Sequence, residues 1–323
     1  MVKLFFGNKS FALIFLPVII ILFSILNIFL GQQKNIEGSF FGFFGNLYSL
    51  RSFFSYTLAP IIILINSLIL NNIFNRNEFM KSNNFFISFM YVVTMSFFSS
   101  FYILDNFLLA QTGLILMLSQ IFKLSQNKDG RRCTFNSLFF FGITCTVYPI
   151  AFFGFPFVFF IIRIFRPFVL REFFLAFIAL FIPLLYANLY FFIFSTSKFN
   201  SLFFVNYLIE EYSVIIVLIS FLFFYFLLGI SKILNKVRSS NIRLKKLFKA
   251  LFFMLFFSFS LGGVEFFAFE STTSLGLLIL PLMFIIPYAF GEKKINRLAT
   301  IVYYGFFFLA LGKFFIPIEL LKI

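Results

Sequence analysis

The sequence predicts an all-α polytopic membrane protein of about eleven transmembrane helices, N-terminus cytoplasmic and C-terminus outside. Three observations predict it. Of 323 residues, 62% are hydrophobic and 11% charged, more apolar side chain than a soluble domain of this length can bury. The apolar residues come in runs near the length of about 20 that a helix needs to cross the hydrocarbon. With eleven spans and the N-terminus inside, 21 of the 26 Lys+Arg fall on the cytoplasmic side. Only Lys34, Arg51, Lys198, Lys313 and Lys322 fall outside. Positive side chains near span ends are retained in the cytoplasm during insertion, so this bias sets orientation.

The elements follow in order. Lys3 and Lys9 precede Phe11–Leu30, a run long enough to span with no small-x-small cleavage site after it. It is expected as a retained first helix. The first outer loop, Gly31–Ser52, carries a Phe/Gly stretch with Tyr48 and suggests a helix lying in the interface. Spans at Phe53–Phe74, Phe85–Leu104 and Asn106–Phe122 come next. The region 135–164 is about 30 residues, long for one helix and short for two. Pro149, Gly154 and Pro156 interrupt its middle. Here the charges decide. A single span would invert everything downstream and leave 11 positive residues inside and 15 outside. A short broken helix pair is therefore expected near 135–165, Phe135–Ile150 and Phe152–Phe165, as a full hairpin or re-entrant. Five more spans complete the chain: Phe173–Phe194, Ser213–Leu234, Ala250–Phe267, Leu275–Phe290 and Leu298–Ile316. An outer loop (195–212) and a basic cytoplasmic loop (231–249) connect them within a single membrane domain, 1–323.

The net charge of +15 would suggest nucleic acid in a soluble protein. Its distribution gives a simpler cause. The cytoplasmic face holds 21 basic and 4 acidic residues, net +17, and the outer face 5 and 7, net −2. No nucleic-acid partner is read from it. The expected partners are membrane lipids, with anionic head groups against the basic face of a bacterial inner membrane. The absence of His removes imidazole metal ligands, His general bases and every Ser-His or Cys-His pair. Two cysteines, Cys133 and Cys145, are too few for a soft-metal site and are not expected to pair.

Chemistry is sought among the eleven acidic residues, because charge near a bilayer is costly and tends to be functional. Glu78, Asp129, Glu172 and Glu292 lie cytoplasmic beside Arg or Lys and read as solvated loop charges. Outside, Glu37 is the only acid of the first loop. Asp105 lies in the turn FYILDNFLLAQTG, Glu210–Glu211 end the second outer loop, and Glu265 and Glu270 flank the ninth-to-tenth turn. A carboxylate there can serve as a general base, or two can hold a divalent cation. Equally, interfacial acids keep short turns in water.

Glu37 and Asp105, followed by an apolar helix (Leu108–Phe122), a basic turn (Lys123–Arg132) and the broken pair, give the first half of the chain a topology that resembles membrane-embedded glycosyltransferases of the GT-C class. The resemblance implies Glu37 and Asp105 as an acid pair, catalytic or metal-binding, a lipid-linked sugar donor and a divalent cation. Arg51, Arg166 and Arg171 are the candidate substrate- or lipid-binding residues. The chain departs from the class in its sparse outer polar residues and lack of a large outer domain.

A second resemblance rests on RIFRPFVLREFFLAFIALFIPLLY, where Arg166, Pro167, Phe168, Leu170, Arg171 and Glu172 introduce a span ending near Pro183. It is similar to a family of uncharacterised polytopic proteins of Bacteroidetes. Some members bear a β-carotene monooxygenase label, which does not suit a chain without histidine. Physically, Pro167 breaks the preceding helix and Glu172 favours the positive start of the next.

Three functions stay open: a GT-C-like transferase in envelope glycan or glycolipid assembly, a non-catalytic scaffold of an envelope complex, and a small-molecule or lipid transporter. A transporter needs polar groups near mid-membrane. Asn27, Asn66, Gln111, Asn188 and the Gly262–Gly263 pair beside Glu265 are its candidates.

Overall fold

A computed structural model describes residues 5–7, 10–30, 42–44, 52–126, 130–167, 169–194, 212–269, 273–291 and 296–315. Among them are eleven α-helices: α1 (Ser10–Leu30), α2 (Ser52–Arg76), α3 (Phe86–Met95), α4 (Asn106–Lys123), α5 (Arg131–Val147), α6 (Phe155–Phe165), α7 (Leu170–Phe194), α8 (Tyr212–Ser239), α9 (Ile242–Phe269), α10 (Ile279–Phe290) and α11 (Arg297–Gly312). Short 3-10 segments lie at Gly42–Phe44, Ser99–Phe101, Pro149–Gly154 and Thr273–Leu278, and no strand occurs among the described residues. The all-α class is as expected. Six segments are long and apolar enough to cross a membrane: Phe11–Leu30, Phe54–Arg76, Leu170–Ile193, Ile215–Ser239, Ile242–Phe267 and Thr273–Phe290. The chain is a multi-pass membrane protein.

The bundle has a centre and a rim. Every residue of α3 and of α10 is buried. The rim helices α1, α7, α8 and α11 leave large apolar side chains uncovered, among them Phe29, Phe174, Phe192, Phe223 and Ile301. In water such surface costs about 25 cal/mol per Å². Lipid removes that cost, so a bare apolar rim fits hydrocarbon as solvent.

The abundant Phe does packing work. The Phe79 ring, just past α2, meets Phe74, Phe122, Phe248 and Phe284 at centroid distances of 5.3, 6.0, 5.5 and 5.3 Å. One ring thus ties α2, α4, α9 and α10 together. Elsewhere small residues let helices close up. A Cβ built on Gly142 of α5 would stand 2.7 Å from the Leu180 carbonyl oxygen of α7, and Ala176 and Ala179 are buried. Backbones that approach this closely gain dispersion contacts that the hydrophobic effect cannot supply inside lipid.

Between residues 131 and 165 the chain reverses. α5 ends at Val147, a 3-10 turn follows from Pro149 to Gly154, and α6 returns. The Arg166 guanidinium packs over Gly130, where a built Cβ would lie 2.6 Å from Nε. The two ends of the pair therefore meet, as a full hairpin and a re-entrant pair both require.

One expected span is corrected. The run Phe85–Leu104 is not one helix; α3 stops at Met95. Ser96, Ser99 and Ser100 follow, and serine hydroxyls compete with the helical ladder. Non-helical backbone at membrane depth survives only when protein satisfies it. Here Ser96 O accepts from Tyr102 Oη at 2.9 Å and from Lys313 Nζ, and Leu104 N donates to Ser55 Oγ at 2.9 Å. The two described ends of the chain also separate along α3. Phe5 stacks on Phe89 and its carbonyl accepts from Phe85 N, whereas Lys313 meets Ser96 beyond the helix's other end.

Candidate functional site

Two buried carboxylates stand at the same end of the bundle. Asp105 is 6% exposed and precedes α4 in extended backbone, the geometry of an N-cap. Its Oδ1 accepts from Leu108 N at 2.9 Å and its Oδ2 from Ser100 Oγ at 2.5 Å. One oxygen satisfies an orphan N–H of the first turn, and the charge favours the positive helix end. The other fixes the irregular segment before it.

Glu265 is fully buried, about one turn before the end of α9. Its Oε1 accepts from Tyr148 Oη at 2.9 Å and from Thr273 Oγ1 at 2.7 Å, and its Oε2 accepts from Ser274 N at 2.5 Å. Tyr148 and Thr273 hydroxyls are themselves 3.3 Å apart. Each partner comes from a break in helical structure. Tyr148 follows α5 immediately before Pro149. Thr273 and Ser274 open the 3-10 segment that leads into α10. Broken helices free N–H groups and hydroxyls to turn toward one atom, which regular helices cannot do.

The two carboxylates are connected through packed groups. A Cβ on Gly276 would lie 2.5 Å from Phe107, two residues past Asp105, so this 3-10 segment and the start of α4 touch. Gln111 Nε2 donates to Gly276 O at 3.4 Å. Gln111 Oε1 accepts from Tyr91 Oη at 2.8 Å, and Asn66 Nδ2 donates to Thr112 Oγ1 at 2.9 Å. Asn66 and Gln111, named as transporter candidates, therefore join α2, α3, α4 and the 3-10 segment inside the protein. Asn66 Oδ1 is buried without a hydrogen-bond partner. Of the other candidates, Asn188 faces outward and Asn27 is half-buried. Gly262 packs against Leu275, while Gly263 has open space.

Of the candidate acid pair, Glu37 lies outside the described residues, and so does Arg51. A part of the same loop is described. Gly42 has φ +59°, and its built Cβ would stand 2.3 Å from Thr146 O and 2.5 Å from Val147 O. Phe43 and Phe44 pack on Phe191 and Tyr190 of α7. Residues 42–44 thus rest on the end of α5, beside Tyr148. Arg166 pairs with Glu172 at 3.6 Å, and Arg171 is exposed.

No group of three or more acidic or thiol side chains gathers among the described residues. Asp105 and Glu265 are each surrounded by N–H and O–H donors, which suit a carboxylate and assemble no divalent site among the described residues. Cys133 and Cys145 form no disulfide. Sequence reasoning named Glu265 as a turn residue and missed its partners. Tyr148 carried a signal, a hydroxyl directly before a proline inside an apolar run.

An apolar groove of about 120 Å³ lies between α8, α9 and α10, lined by Leu222, Phe226, Leu255, Phe259, Leu278 and Leu282 among others. It includes Leu278, the last residue of the 3-10 segment whose first two residues hold Glu265. No family model, curated protein or solved structure matches the chain.

Proposed function

We propose that the chain crosses a bacterial inner membrane eleven times, N-terminus in and C-terminus out, and works as a proton-linked transporter of a small or amphipathic molecule. Glu265 carries the reading. A fully buried carboxylate inside an apolar bundle is expensive, and proteins keep such groups mainly for ion or proton handling. Its partners sit at two helix breaks, the arrangement by which transporters expose polar backbone to a cargo. Tyr148 and Thr273 hydroxyls and the Ser274 N–H aim three donors at this one carboxylate. The groove reaching the same segment suits an apolar part of the cargo.

The GT-C-like transferase remains the second reading, because residues 42–44, in the same sequence stretch as Glu37, lie beside Tyr148 at the Glu265 end. In it Asp105, Glu37 and a lipid-linked sugar would act together.

One deletion strain tests both readings, complemented with wild type or Glu265→Gln at matched protein levels. Transport predicts a metabolite that shifts between cell and medium, restored by wild type and not by E265Q. Lost surface glycan with accumulated lipid-linked sugar would select the transferase. If neither pool changes, both readings fall and a scaffold takes their place. A reporter fused after Ile323 checks the topology; finding it in the cytoplasm would overturn the eleven spans.

A further inference from the structure

A second polar recess lies at the opposite, basic end of the bundle. It is lined by Asn72, Arg76 and Asn77 at the end of α2 and by Ser119, Lys123 and Gln126 at the end of α4, with Ile73 the one apolar member. None of these lining residues is acidic. A third cation reaches its rim from α9, where Arg243 Nη2 donates to Asn77 Oδ1 at 3.1 Å. The Arg243 Nε is buried without a hydrogen-bond partner.

Ordinary helix electrostatics accounts for part of this. Arg76 and Lys123 sit in the last turns of their helices, where a cation meets the negative helix end. It does not account for Arg243. α9 begins at Ile242, and its first turn holds Arg243 and Lys245 with no acid. A helix start is electropositive and disfavours cations. Two cationic side chains therefore line, and a third with an unpartnered buried Nε borders, one recess whose lining offers no carboxylate. An anion relieves that repulsion, and guanidinium and ammonium groups are donors that phosphate takes.

We infer that this recess binds a phosphate-bearing anion. Its source is either the head group of an anionic phospholipid in the adjoining leaflet or a soluble phosphate compound. The site is independent of Glu265 and of the transport reading.

The test uses the full chain in micelles. Its thermal midpoint is followed against phosphatidylglycerol, against phosphatidylcholine, and against inorganic phosphate at constant ionic strength. Phosphatidylglycerol is expected to raise the midpoint more than phosphatidylcholine. Arg76→Gln and Lys123→Gln are each expected to raise the half-saturating concentration about fivefold, the equivalent of about 1 kcal/mol per cation. Lys249→Gln, exposed on α9 and away from the recess lining, is expected to change nothing. A response to phosphate with none to phosphatidylglycerol keeps the site and assigns it the soluble source. Equal losses in K249Q and K123Q would mean diffuse surface charge and overturn the proposal. So would the absence of any response to both anions.

Discussion

The two ends of the bundle solve opposite electrostatic problems with the same helices. α4, α6 and α10 run from the end holding Asp105 and Glu265 to the end holding the basic residues. At their starts, Asp105 accepts from Leu108 N and Glu265 from Ser274 N. At their finishes, Lys246 Nζ donates to Phe165 O at 3.5 Å, and Lys232 Nζ to Ala289 O at 3.0 Å. For these three helices the charge asymmetry of the chain matches the helix dipoles. For the helices running the other way it does not. α5 opens on Arg131 and Arg132 with no acid in its first turn, and α9 opens on Arg243. α7 alone among these three carries an acid, Glu172, which pairs with Arg166. The same gathering of positive charge at one end therefore favours the ends of α4, α6 and α10 and disfavours the starts of α5 and α9.

The strongest way to break the comparison is Glu265→Ala. It leaves Tyr148 Oη, Thr273 Oγ1 and Ser274 N without their acceptor in an apolar interior. Orphaned buried donors cost about 1–3 kcal/mol each, so a loss of about 4 kcal/mol is expected in a detergent unfolding titration. E265Q keeps an acceptor oxygen and should lose about 1 kcal/mol. Equal losses in both would mean that charge, not hydrogen bonding, holds the two helix breaks.

Next comes Gly42→Val. The position has φ +59°, and a side chain would drive into the Thr146 and Val147 carbonyls. A β-branched residue there should cost about 2 kcal/mol, chiefly by lifting residues 42–44 from α5. Protease sensitivity of residues 42–44 reads this directly. If it is unchanged, the loop does not depend on that seat.

Asp105 sharpens the question of its role. Asp105→Ala removes the cap and should cost about 1 kcal/mol, while Asp105→Asn retains an acceptor and should cost a few tenths. A D105N protein that folds normally and loses biological activity would favour the acid-pair reading of Asp105. One that keeps full activity in the deletion strain leaves Asp105 a cap.

Much of the fold was legible because lipid imposes few solutions. Runs such as Phe11–Leu30 and Leu275–Phe290 carry both length and hydropathy, and Pro149 with Gly154 marks the reversal. The end of α3 at Met95 was not legible. It depends on remote partners, Ser55, Tyr102 and Lys313, that make a buried break tolerable. The Glu265 cluster was hidden for the same reason. Tyr148 and Thr273 lie 117 and 8 residues from Glu265, and hydropathy carries no information about which hydroxyl meets which acid.

An effect smaller than that of Asp105→Ala tests the basic end. Lys232 reaches across from α8 to the Ala289 carbonyl, in the last turn of α10. Lys232→Met keeps the apolar stem and removes the charge, so any change reports the interaction with the helix end and not lost packing. The expected loss is about 0.5 kcal/mol at low ionic strength, shrinking as salt is added. The sign of the salt effect is the point. If the cation stabilises α10 through its dipole, screening weakens wild type and leaves K232M almost unmoved, so the two unfolding curves converge. If Lys232 is there only because insertion keeps positive charge on that side, removing it relieves repulsion from its basic neighbours. K232M is then the more stable protein at low salt, and the matched half of the comparison loses its clearest member.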